Sequence, residues 1–208
     1  MPVGIRRHRF PRRIAVPAFG PSLLFGLAEG AILPVLALSA RELGASVPIA
    51  ALVVALIGIG ALVSNLPASW ITQRRGERWA IVAAALWCAA AMALCALARQ
   101  LAWLALAACM IGMAQAVFNL ARQTYLTDAV PIEYRARAMS TLGGVLRIGL
   151  FIGPFLGAAA IHYGGLAAAY GVGAATATLA ALVASRLPDL QAHAVSGAPV
   201  AATNAPTL

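Results

Sequence analysis

The chain has 208 residues, of which 62% are hydrophobic and only 10% are charged, and its mean hydropathy is +0.87. A soluble globular domain carries about 25% charged residues, so these values exclude a soluble domain and indicate an integral membrane protein. The formal net charge of +9 is compatible with a nucleic-acid-binding protein, but the positions of the arginines favour contact with anionic lipid instead.

Six stretches of the chain are long and apolar enough to cross a bilayer, because a span needs about 20 mostly apolar residues. In chain order they are residues 16–38, 47–70, 79–98, 101–125, 139–163 and 166–184. The connections between them are short and leave almost no room for a soluble domain. We therefore predict an all-α integral membrane protein whose six transmembrane helices form one bundle over residues 15–186.

The arginines that flank these stretches are unevenly divided between the two sides of the predicted bundle. Eleven of them fall on one side: Arg6, Arg7, Arg9, Arg12, Arg13, Arg74, Arg75, Arg78, Arg135, Arg137 and Arg186. Only Arg41 and Arg99 fall on the other side. Because positive charge stays in the cytoplasm, we expect both termini there. Residues 1–14 then form a basic cytoplasmic N-terminus, and residues 187–208 form a disordered cytoplasmic tail or interdomain linker.

Three ionisable residues lie inside predicted spans, where such residues are costly and usually face a cavity or a partner. Glu29 is suited to carry a proton or to attract a cationic substrate, or alternatively to form a static pair with Arg147 or a backbone donor. Arg147 is expected to face a central cavity and to take part in proton coupling or substrate binding, unless it serves only in such a pair. Arg122 lies near the end of its span, where it lines the cavity or an inner gate, or simply extends to the surface.

The stretch at residues 149–158 combines three glycines spaced four residues apart with a proline. Gly149, Gly153 and Gly157 share one helix face, and Pro154 bends the helix axis. At 100° per residue, Arg147 lies on a different face from these glycines. The glycine face is therefore expected to pack against another helix, either as part of a transport mechanism or as ordinary close packing of small residues.

The loop at residues 69–78 joins the second and third stretches and contains Arg74, Arg75, Gly76 and Arg78. Gly76 permits the positive φ that a tight turn needs, and the arginines can interact with the C-terminal ends of helices. A plain cytoplasmic loop with no further role explains the same residues.

Residues 149–158 resemble the antiporter motif on the fifth helix of drug-exporting members of the major facilitator superfamily, and the resemblance extends over residues 118–158. The loop at 69–78 resembles the hallmark loop of the same superfamily through Arg74, Gly76 and Arg78. Ser69, Gln73 and Glu77 depart from its pattern. The resemblance implies that Arg74 or Arg75 pairs with Asp128 near the inner end of the fourth helix and holds one transport state closed.

The resemblance further implies the N-terminal six-helix half of a transporter that exports small molecules by proton-coupled alternating access. Its expected partners are protons, the small-molecule substrate, the lipid bilayer and a second half or second copy. We expect a truncated or half-size member of the superfamily. We expect it to be a multi-pass protein of the cell membrane, specifically of a bacterial inner membrane. The alternative is a non-transporting six-helix scaffold or partner subunit. No enzyme activity, cofactor, metal or nucleic-acid partner is expected.

Overall fold

The computed structural model describes residues 12–187, apart from the side chains of residues 12–18, Ile71, Gln73 and Arg75. Most of the predicted basic N-terminus, and all but the first residue of the predicted tail at 187–208, lie outside this part of the chain. Within it the chain is helical throughout, with only short turns and no strand.

Five helices follow one another with connections of a few residues at most. They are α1 (Arg12–Glu42), α2 (Val47–Arg75), α3 (Glu77–Leu97), α4 (Leu101–Ala129) and α5 (Ile132–Ala184). Each of the five contains a segment long and apolar enough to span a membrane. The prediction of an all-α multi-pass membrane protein is therefore confirmed, whereas the number of crossings depends on α5.

Helix α5 is 53 residues long because two predicted stretches, 139–163 and 166–184, are joined in it. Two consecutive residues inside it leave the helical conformation: Gly164 has φ −148° and ψ 18°, and Gly165 has φ 70° and ψ −170°. A positive φ of this kind is open to glycine at no steric cost. Gly164 and Gly165 thus divide α5 into a first arm (residues 132–163) and a second arm (residues 166–184).

The two arms run in opposite directions along α1. On the first arm, Gly149 meets Leu23 and Gly157 meets Ala31, so the residue numbers of both helices rise together. On the second arm the order is reversed. There Tyr170 bonds Ser39, Gly173 lies against Ile32, and Val183 lies against Gly20. The chain therefore turns back on itself at Gly164 and Gly165.

The bundle has two ends, which we name after their turns. At the Gly76 end, Gly76 (φ 81°) is the only residue between α2 and α3, and Arg78 donates a hydrogen bond to the carbonyl of Ser185. The opposite end, the Gly164 end, carries the turn between the two arms of α5. The contact between Tyr170 and Ser39 lies toward this second end.

The core lies around α1, which packs most extensively on α5, while α2 packs mainly on α4. Phe25 of α1 and Phe118 of α4 are fully buried and stacked, with ring centroids 3.8 Å apart and ring planes 7° apart. Large apolar side chains are exposed on α2 and on the first arm of α5; among them are Leu52, Leu62, Val63, Leu66, Phe151 and Phe155. These two surfaces are the least covered parts of the bundle.

Candidate functional site

Glu29 belongs to α1, points toward the neighbouring helices and is only 4% exposed. The side-chain amide of Gln115 on α4 donates a hydrogen bond to its carboxylate. Arg122, also on α4, interacts with it electrostatically. The charge of the Glu29 carboxylate also acts electrostatically on the thiol of Cys88 on α3. The carboxylate is therefore held at the meeting point of three helices.

Helical periodicity explains why these polar side chains meet. Ser22 and Glu29 are seven residues apart on α1, and Gln115, Asn119 and Arg122 follow the spacing i, i+4, i+7 on α4, so each set occupies one face of its helix. The stacked rings of Phe25 and Phe118 lie on the same two faces and show that these faces contact each other. We call these five polar residues the polar seam.

Several buried atoms of the polar seam have no hydrogen-bond partner among the described residues. They are Ser22 Oγ, Glu29 Oε1, Asn119 Oδ1, and Nε and Nη1 of Arg122. Buried polar groups in proteins are nearly always hydrogen-bonded, and inside a membrane an unsatisfied group is more costly still. The seam therefore keeps both donors and acceptors that can engage a proton or a polar solute.

Close contacts between glycines hold α1, and hence Glu29, against the first arm of α5. Gly149, Gly153 and Gly157 are buried on this arm. A Cβ atom added at Gly153 would lie 2.6 Å from Cα of Gly30, the residue after Glu29. The backbones are therefore as close as glycine allows, which is the usual means of packing membrane helices. Pro154 lies beside this face and is partly exposed.

Arg147 lies on the other side of the first arm, where its side chain is exposed. Phe151 and Phe155, exposed on the same arm, make an edge-to-face contact. Among the described residues no hydrogen bond or ion pair involves Arg147. The pair with Glu29 that the sequence allowed is not formed, because Glu29 faces α4 and Arg122 takes that place.

The sequence left open whether Arg122 lines a cavity or an inner gate or extends to the surface, and it did not single out Ser22, Gln115, Asn119 or Cys88. The spacing of Gln115, Asn119 and Arg122 along one face of an otherwise apolar helix is a signal that could have found most of the seam. In the structure Arg122 is 8% exposed. Arg122 therefore lies in the interior of the bundle. Its position near the end of the predicted span does not indicate this burial.

The loop residues at the Gly76 end have mainly structural contacts. The guanidinium of Arg74 lies over the ring of Trp70, 4.3 Å from its centroid. Arg78 donates to the carbonyl of Ser185 and so satisfies the C-terminal end of the second arm. Asp128 is exposed, and among the described side chains no ion pair joins it to Arg74. The side chain of Arg75 lies outside the described part of the chain, so its pairing with Asp128 stays a prediction.

The described residues contain no group of three or more His, Cys, Asp or Glu side chains arranged to hold a metal ion. The chemistry of the polar seam is therefore that of one carboxylate, one guanidinium, two amides and a hydroxyl.

Comparison with known proteins identifies the family. The family model described as Major Facilitator Superfamily matches residues 19–206, which is most of the chain. No curated protein matches it. The match begins within α1, six residues before the fully buried Phe25, and includes all of α2 to α5. It agrees with the resemblance of the loop and glycine motifs. The chain belongs to the major facilitator superfamily, a family of membrane transporters.

Proposed function

We propose that this chain works as a transporter of small molecules that exports its substrate in exchange for protons by alternating access. The observation that carries the proposal is the position of Glu29. It is a buried carboxylate in the middle of an apolar bundle, beside a guanidinium, in a chain of a transporter family. Ionisable groups in such positions commonly serve proton or substrate pathways.

The polar seam supplies what proton exchange needs. One carboxylate oxygen of Glu29 has no hydrogen-bond partner among the described residues, and neither do two nitrogens of Arg122. Protonation of Glu29 removes its attraction to Arg122, while a cationic substrate can replace the proton at the same oxygen. The same small set of atoms can therefore serve a proton and a substrate in turn, which is the basis of an exchange mechanism.

A complete transport pathway needs a second bundle, because transporters of this kind bind substrate between two halves that rock around the site. The exposed face of the first arm supports this arrangement. A charge such as that of Arg147 is costly against lipid, so this face is better suited to line a cavity. A second six-helix half, or a second copy of this chain, completes the cavity, and the chain is then a truncated or half-size transporter.

Six crossings with both termini in the cytoplasm are part of the same proposal. The reversal of α5 at Gly164 and Gly165 supports counting its two arms as separate crossings. The second arm has 19 residues, about 28 Å at 1.5 Å per residue, close to the ~30 Å thickness of the hydrocarbon core. The excess of arginine at the Gly76 end supports a cytoplasmic position for that end.

The loop residues Arg74, Arg75, Gly76 and Arg78, together with Asp128, are assigned to gating at this cytoplasmic end. Arg78 links the start of α3 to the end of α5, so a motion of one helix is passed to the other. Arg74 is exposed, so a second half can contact it in one transport state and release it in the other.

The decisive experiment is flux through the purified chain in liposomes. A proton gradient is applied, and the efflux of a cationic dye and the movement of protons are recorded together. We expect dye and proton fluxes that depend on each other in the wild type, and loss of most of the coupled flux in Glu29→Gln. Glu133→Gln is the matched control, because Glu133 is an exposed acid at the Gly76 end.

Two outcomes would contradict the proposal. Unchanged proton coupling in folded Glu29→Gln would show that this carboxylate is not the proton carrier. A folded wild type without any flux would show that the chain alone does not transport, and would favour the non-transporting six-helix scaffold or partner subunit. Thermal unfolding of each variant establishes that the protein is folded.

A further inference from the structure

A cavity opens at the Gly164 end of the bundle, between helices that are far apart in sequence. Its volume is about 280 Å³. Its walls include Ser39 and Glu42 of α1, Cys95 of α3, Leu104 of α4, and Ala167 and Tyr170 of the second arm. Small-molecule sites are concavities of about 300–1,000 Å³, so this cavity is the size of a small ligand.

The cavity is separate from the polar seam. Ser39 follows Glu29 by ten residues of continuous helix, which is about 15 Å at 1.5 Å per residue. Between them α1 presents the buried apolar side chains Ile32, Val35 and Leu36. The chemistry of the cavity is therefore independent of the function proposed for Glu29.

Glu42 gives the cavity a negative charge. It is the only formally charged residue among those that line the cavity, and among the described residues no hydrogen bond or ion pair engages its carboxylate. The neighbouring Arg41 donates a hydrogen bond from Nη1 to the carbonyl oxygen of Ala45 across the turn, at 2.8 Å. Arg99 follows the lining residue Ala98 but does not itself line the cavity. A cation placed in the cavity is thus attracted by Glu42.

The remaining walls combine hydroxyl and apolar groups. The hydroxyl of Tyr170 donates to Oγ of Ser39 at 2.9 Å, which fixes both side chains. Leu43, Leu104 and Leu166 add apolar surface. Ligand sites typically pair an apolar wall with a few placed polar groups. This combination suits a molecule with a charged ammonium group and a short hydrocarbon part.

We infer that the cavity at the Gly164 end binds a small alkylammonium cation, with the ammonium group at Glu42 and the alkyl group against the leucines. The attraction between the ammonium group and Glu42 is electrostatic, so binding weakens as salt is added. Because Glu42 is exposed, its contribution is moderate, and its removal is expected to weaken binding by roughly five- to tenfold.

The test uses the full chain in lipid nanodiscs and three probes of similar size but different charge: n-butylammonium, n-butanol and butyrate. Binding is measured by ligand-detected NMR in buffers of low and high salt. Butylammonium should bind more tightly than butanol, and butyrate should bind least. Glu42→Gln should weaken butylammonium binding and leave butanol unaffected, while Glu133→Gln at the opposite end should bind like the wild type.

Ala167→Phe tests the location independently of charge. Ala167 lines the cavity but is exposed, so the larger side chain can fill the space without disturbing the core, and it should block butylammonium while Glu42 is intact. Equal binding of butanol and butylammonium would overturn the cation assignment. Wild-type binding in both folded Glu42→Gln and Ala167→Phe would overturn the site. Neither result bears on dye or proton flux through Glu29.

Discussion

Tyr170 is the largest fully buried side chain among the described residues. Its hydroxyl has one strong partner, Ser39 Oγ, across the contact between the second arm and α1. Both side chains are buried, so the loss of either group leaves the other without this partner. This pair therefore fixes the position at which the second arm meets α1.

We expect Tyr170→Phe to lower the free energy of unfolding by about 0.5–1.5 kcal/mol, the usual net value of one hydrogen bond. The ring and its packing are kept, so only the hydroxyl is tested. Thermal or denaturant unfolding in detergent measures the change. Tyr163→Phe is the control, since Tyr163 is 88% exposed and its hydroxyl is expected to contribute within about 0.5 kcal/mol. Equal effects of the two substitutions would contradict the role of the buried bond.

Helices in this bundle meet through pairs of glycine contacts. On α1 and the first arm, Gly26 and Gly30 face Gly149 and Gly153. On α2 and α4, Gly60 lies against the backbone of Cys109, and Gly112 lies against that of Ile57. Because lipid is as apolar as the helix surface, close van der Waals packing of this kind is a main source of association between membrane helices.

Gly153→Ala should destabilise the bundle by about 1–3 kcal/mol, the range for overpacking a close contact. The added Cβ would lie 2.6 Å from backbone atoms of Gly30 and Ala31, so α1 must move away. Gly143→Ala on the same arm is the matched control, because no atom lies within 4 Å of its added Cβ.

Gly143→Ala should leave stability unchanged or raise it slightly, since alanine favours the helix more than glycine does. The comparison is made by unfolding both variants in the same detergent. If Gly153→Ala were as stable as Gly143→Ala, the close approach of α1 and α5 would not be a determinant of the fold.

On the scale of the whole molecule, the reversal within α5 decides the topology. The two antiparallel arms bring both ends of α5 to the same end of the bundle, and counting each arm as a crossing gives the even number of crossings proposed above. The same reversal brings the second arm against α1 and α3, where Gly173 contacts both Ile32 and Met92. One pair of glycines thus determines both topology and core.

Cysteine labelling of α5 tests this topology. Arg137, Tyr163 and Arg186 are exposed at the start, the turn and the end of α5, and each is replaced by cysteine in a chain without its native cysteines. A membrane-impermeant thiol reagent applied to intact cells should label only Tyr163→Cys. All three should react once the membrane is permeabilised.

A single crossing of α5 would place Arg137→Cys and Arg186→Cys on opposite sides, and that pattern would rule out the hairpin. Labelling of both, but not of Tyr163→Cys, would instead keep the hairpin and reverse the predicted orientation of the termini.

The sequence by itself determined the class of the protein and much of its local structure. Hydropathy and length identified the apolar stretches, and those at 47–70 and 101–125 lie wholly within α2 and α4. Gly76 marked one of the turns that the structure contains, and the break between the stretches 139–163 and 166–184 lies at another. Helical periodicity separated the glycine face of α5 from Arg147. The motifs indicated the major facilitator superfamily, which the family match confirms; the antiporter subtype stays a prediction.

The tertiary structure alone decided which side chains meet between helices. It placed Glu29 beside Gln115, Arg122 and Cys88 rather than Arg147, and it placed Arg74 over Trp70 rather than beside Asp128. Periodicity fixes the face of a helix on which a residue lies, because it depends on neighbours in the chain. It does not fix how two helices are rotated against each other, which follows from close packing of all the buried side chains together.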